Sequence, residues 1–177
     1  MKNVQMYAFT DLPQSQYFDE QAVANGIIGY MDEIVKVCAA DIEGAPFNQV
    51  AKHFNIDMSE SKKDARKGNT RQYVTNYRTF NNMNIAFMLD LPVDGRNVCE
   101  FCPVPKALLV CSFEGDKASE HSENIANLIK NHYKMENEGG FTVAYLREPK
   151  EGAQALVCRI AIENWVDGGF SLTYIPS

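Results

Sequence analysis

Cys99-Glu100-Phe101-Cys102 has the C-x-x-C spacing of zinc sites and of thioredoxin-like redox centres. A zinc site needs a second ligand pair, yet Cys38, Cys111 and Cys158 stand singly and His53, His121 and His132 show no paired spacing. A redox centre opens a helix, whereas this pair lies in an extended run that continues into Pro103 and Pro105. The odd set of five cysteines therefore reads as small interior hydrophobes in a reducing cytoplasm, with no metal and no cofactor. None of the histidines has a Ser or Cys partner in a nucleophile motif, and no glycine-rich phosphate loop is present, because Gly139-Gly140 follows a helical stretch and Gly168-Gly169 lies in the tail.

The cations Lys62, Lys63, Arg66, Lys67 and Arg71 are interleaved with Asp64 and meet no aromatic residue before Tyr73. Nucleic-acid sites combine a basic stripe with stacking rings, and the formal net charge is -6, so direct nucleic-acid binding is not expected. Aromatic residues are the stronger signal: Tyr7, Phe47, Phe87, Phe101, Phe113, Tyr145 and Trp165 all fall on or beside strand-like segments. Small-molecule pockets are lined by such rings and a few polar groups.

The elements that must position these residues follow from patterning. A chain of 177 residues with 45% hydrophobic content can bury one substantial core. No apolar run is long enough to span a membrane, and the polar, acidic N-terminus does not read as a signal peptide. Residues 3–10 are rich in β-formers. From Asp19 to Ala40, Val23, Ile27, Met31, Ile34 and Cys38 recur at helical spacing, with Gly26 and Gly29 permitting close packing. Gly44-Ala45-Pro46 then predicts a turn into a strand over 47–54, paired with a strand over 83–91. The charged segment 56–78 between them reads as a long excursion, either a lid or a disordered loop.

A second round follows: strands over 97–101 and 107–113, then a helix from Ser119 or Ser122 to Glu136 that Gly139-Gly140 ends. Strands over 141–146 and 155–162 come next, with a turn at Glu148-Pro149. The reading is an α+β domain, strand-helix-strand-strand twice (halves 3–96 and 97–163), with a curved antiparallel sheet and two helices on one face. The extension 164–177 would add an edge strand.

Gly44-Ala45-Pro46-Phe47, then Phe87 to Val93, Ala107 to Gly115, and Tyr145 to Pro149 occur in an order that resembles the GyrI-like small-molecule-binding domain, over roughly residues 3–163. That domain forms the effector-binding half of multidrug-responsive activators and also stands alone. The resemblance implies a ligand cleft between the halves, with an acidic residue for cationic drugs and rings to stack on them. By position it selects Phe47, Tyr145 and Trp165. The family's acid stands four residues before a strand-closing proline, where this chain has Met88 and, in the second half, Arg159. Strand alternation joins Met88 to Ala86 and Asp90, and Arg159 to Val157, Ala161 and Glu163. Arg159 either pairs with Asp90 or Glu163 at a wet surface or offers its guanidinium to a ligand carboxylate or phosphate. The expected function is small-molecule binding. Two alternatives are a toxin hydrolase, with Glu163 or Glu100 as acid or base and Tyr145 as helper, and a protein-binding inhibitor of DNA gyrase or a similar target.

Overall fold

The computed structural model describes residues 18–39, 46–53, 55–66, 69–92, 107–165 and 167–176. The expected strands over 3–10 and 97–101, and with them Cys99, Glu100 and Cys102, lie outside the described residues. Helix α1, Glu20–Ala39, begins where Asp19 accepts hydrogen bonds through its side chain from the backbone N–H groups of Gln21 (2.9 Å) and Ala22 (3.3 Å). Its buried face carries Val23, Ile27, Met31, Ile34 and Cys38, as the spacing predicts, with Gly26 and Gly29 also buried.

Residues expected as a strand over 47–54 instead form helix α2, Pro46–His53. Pro46 takes the first helical position, where its missing N–H costs nothing. The burial of adjacent Val50 and Ala51 between exposed Asn48, Gln49 and Lys52 follows a helical period and not an alternating one. A single 3-10 turn follows at Met58–Glu60. The expected excursion over 56–78 holds two strands, β1 (Lys62–Arg66) and β2 (Asn69–Phe80), so β3 (Met83–Pro92) pairs with β2 and with β4 (Ala107–Gly115). The cations misled because β1 is an edge strand, where charge blocks further pairing.

Helix α3, Ala118–Tyr133, starts from Lys117 in a left-handed conformation with no side-chain cap, so neither serine caps it. It ends at Lys134, also left-handed, whose N–H returns to the carbonyl of Asn131, well before Gly139-Gly140. Those glycines turn β5 (Glu136–Glu138) into β6 (Phe141–Lys150). The turn into β7 (Ala153–Trp165) falls at Glu151-Gly152, both at positive φ, rather than at Glu148-Pro149.

The tail forms β8 (Gly169–Pro176), which lies between β4 and β7 and is no edge strand. Hydrogen bonding on both sides and the burial of Phe170, Leu172 and Tyr174 place it at the sheet's centre. The result is a curved, open, eight-stranded antiparallel sheet in the order β1-β2-β3-β4-β8-β7-β6-β5, accompanied among the described residues by three α-helices. No helix among the described residues is long and apolar enough to cross a membrane.

One core cluster joins alternate strand residues, among them Ile85, Phe87, Leu109, Cys111, Ile160 and Leu172, to Ile27, Met31, Ile34, Ile125 and Ile129 of α1 and α3. Tyr133 ties the two helices by donating its phenolic hydrogen to Asp32 (2.7 Å). Burial raises the Asp32 carboxyl above its ordinary range, and the Tyr133 hydrogen bond pulls it back only in part. The folded state therefore favours protonated Asp32. Its stabilising share is complete below the ordinary carboxylate pKa and is lost as pH rises through the raised value. Asp32→Asn keeps an acceptor for Tyr133 and removes this dependence. In urea melts its stability should gain on that of the wild type between about pH 3 and about pH 7; a constant difference would show that Asp32 titrates normally.

Candidate functional site

The strand residues that alternate with the core form the opposite face, and the register orders them into cross-strand rows. One row runs Thr75, Met88, Val110, Ser171, Glu163. A second runs Tyr73, Asp90, Leu108, Thr173, Ala161, Val143, and a third Tyr77, Ala86, Ser112, Gly169, Trp165. Beyond them, Ile175, Arg159 and Tyr145 align on β8, β7 and β6. The four large hydrophobic residues most exposed among those described, Phe141 (72%), Tyr77 (71%), Tyr145 (41%) and Trp165 (41%), all stand on this face.

Of the residues singled out by sequence, Tyr145, Arg159, Glu163 and Trp165 therefore share this face on β6 and β7, with Tyr145 beside Arg159. Met88 shares a row with Glu163 but lies three strands away, roughly 14 Å across the sheet. Phe47 lies on α2 rather than on the strand expected over 47–54. Val157 also departs from expectation. The register shifts between Leu146 and Arg147, so Val157 is the extra residue of a bulge and packs against the core cluster.

Asp90 is committed elsewhere. Its carboxylate accepts a hydrogen bond from Nε of Arg71 at 2.7 Å, and its carbonyl accepts one from the same guanidinium at 2.9 Å. The side chains retain only 6% (Arg71) and 3% (Asp90) of their surface, so this is a buried ion pair holding β2 to β3 and not a ligand contact. Arg159 has neither of the carboxylate partners expected for it, and its Nε is buried without a hydrogen-bond partner. Tyr145, its register partner, donates its phenolic hydrogen to Glu138, which raises the phenol's pKa. The guanidinium of Arg147 lies 6.0 Å from the centre of the same ring.

Next to these groups lies a depression of about 510 Å³, lined on β6 by Phe141, on β7 by Ala161 and Glu163, on β8 by Thr173 and Ile175, and on α3 by Lys130. Arg159, Tyr145 and Trp165 neighbour this lining on the strands without belonging to it. Trp165 stands beside it with its ring over Gly169; a Cβ there would lie 3.1 Å from the indole and 2.7 Å from the carbonyl of Cys111. No family model matches the chain, and no curated protein or solved structure does. Phe141, Thr173 and Ile175 were not singled out by sequence. Phe141 entered the sequence reading only as the first residue of the strand over 141–146, and the role of β8 required knowing that it enters the middle of the sheet.

The remaining constellations are structural in kind. Nδ1 of His121 lies 3.0 Å from Glu20, which also accepts a hydrogen bond from Asn124 at 2.8 Å, linking α3 to the start of α1. Cys38, Cys111 and Cys158 are buried free thiols; desolvation raises Cys111 well above the usual thiol range and pushes Cys158 up to about 11. Among the described residues, no group of three or more His, Cys, Asp or Glu side chains could hold a metal ion.

Proposed function

We propose that this chain binds a small, partly aromatic molecule in the depression lined by β6, β7 and β8 together with Lys130 of α3. The observation that carries the reading is the exposure of Phe141, Tyr145 and Trp165 on one face, with Phe141 lining a depression of about 510 Å³ on the same strands as the other two rings. Exposed rings gathered on one face cost hydration free energy unless something covers them, and the volume matches pockets that enclose drug-sized ligands.

The GyrI-like relation belongs to the same proposal. It is supported by the chain order, in which helices precede β1 to β4 and a further helix precedes β5 to β8, and by the mirrored strand order on either side of the β4–β8 pair. On this reading the two halves are pseudo-symmetric units with their helices on one face. Each half ends in the strand that meets its counterpart at the seam, so the tail completes the second half.

Trp165 is the chain's single tryptophan, so its fluorescence reports directly on the face. Phenylnaphthylamine, an uncharged aromatic probe, should bind saturably and accept energy from Trp165. Phe141→Ala should weaken that binding about tenfold with unchanged circular dichroism, the loss of one aromatic contact. Trp165→Ala, followed by the probe's own emission, should weaken it likewise. Equal affinity in wild type and both variants would refute the site.

A further inference from the structure

We infer that the ligand carries a compact anionic group, a carboxylate, sulfonate or phosphate, received by Arg159, which stands opposite the lining residue Ile175 at the border of the depression. This rests on the ligand-binding reading above and adds the chemical class of the ligand. Arg159 carries an uncompensated donor. Arg159 is only partly exposed, its Nε is buried, and it makes no hydrogen bond or ion pair among the described residues. Arginine on a sheet ordinarily finds a carboxylate, as Arg71 does with Asp90. A guanidinium held on the strand face without one is a preformed receptor for a planar or tetrahedral anion, since its fork of donors fits two acceptor oxygens at once.

The neighbours fit that role. Thr173 stands on the adjacent strand, two residue pairs along from the Arg159–Ile175 pair, and supplies a hydroxyl donor at the lining of the depression. Ala161, two residues beyond Arg159 on the same face, leaves room for the group to approach. Arg147 brings a second guanidinium over the Tyr145 ring. The carboxylates of this region do not cancel the pair. Glu138 accepts the Tyr145 hydrogen bond, and Glu163 lies four residues along β7 from Arg159, roughly 13 Å. An anion at Arg159 thus leaves the rest of the ligand directed along β6 toward Phe141.

Two probes with the same rings separate the effects: anilinonaphthalene sulfonate, which is anionic, and phenylnaphthylamine, which lacks the sulfonate. The wild-type chain should bind the sulfonate about tenfold more tightly. Arg159→Met should bring the two affinities within about twofold by weakening the sulfonate alone, and Arg159→Lys should restore part of the preference. Both variants should keep the wild-type circular dichroism. A preference that survives in Arg159→Met, or its absence from the wild type while phenylnaphthylamine still binds and still depends on Phe141, overturns the anion site and leaves the ligand-binding reading standing. Failure of both probes to bind saturably overturns both.

Discussion

Asp90→Ala is expected to lower the free energy of unfolding by about 3–5 kcal/mol, because it removes the carboxylate that compensates a buried guanidinium. Arg71 and Asp90 retain 6% and 3% of their side-chain surface and are joined at 2.7 Å, so water cannot replace the lost partner. Removing both charges should cost far less. An Arg71→Met, Asp90→Leu double variant fills similar volume without an ion and should recover most of the loss in urea titrations. A loss under about 1 kcal/mol in Asp90→Ala would mean that the pair behaves as a solvated surface bridge. The same comparison separates the ion pair from the ligand site: the double variant should bind phenylnaphthylamine as the wild type does.

Gly115→Ala should be comparably damaging, for a different reason. Gly115 closes β4 at φ 144°, a backbone conformation that disfavours side chains, and a Cβ there would lie 2.2 Å from the carbonyl oxygen of Asn82. That oxygen is held in place, since it accepts a hydrogen bond from the N–H of Asp116 at 3.1 Å. Backbone strain and steric overlap together should cost about 2–5 kcal/mol, read as a fall in the urea midpoint. Gly140→Ala is the control. It too replaces a glycine at positive φ, but nothing lies within 4 Å of its added carbon, so it should lose only the strain part. Equal losses in the two variants would show that the close approach to Asn82 carries no weight.

Much of the fold was legible where a period is clean. The spacing of Val23, Ile27, Met31, Ile34 and Cys38 located α1, and the apolar runs of β3 and β4 read correctly as strands. The failures have identifiable causes. Pro46 looked like a turn residue although it opens α2, an eight-residue helix too short to establish a strong period. Lys62, Lys63 and Asp64 concealed β1, and Arg71 concealed the start of β2, because edge protection and an internal ion pair both place charge on strands. Gly168-Gly169 marked a tail expected to add an edge strand, whereas Gly169 is the close-packing point at which β8 slips under Trp165 and against Cys111.

The site was legible in part. Alternation correctly grouped Arg159 with Ala161 and Glu163, because face membership follows from parity along one strand. It could not pair Arg71 with Asp90, which lie 19 residues apart and meet only once the β2–β3 register is known. Nor could it bring Thr173 and Ile175 beside β7, since that depends on where β8 inserts.

The central claim, a ligand on the β6–β7–β8 face, is tested most directly by nitrogen-15 NMR of the full chain titrated with anilinonaphthalene sulfonate. Saturable shifts should concentrate at Phe141, Tyr145, Arg159, Ala161, Thr173 and the Trp165 indole, with the core residues of α1 unmoved. Saturable shifts confined to the helices, or no saturable shifts at all, would contradict it.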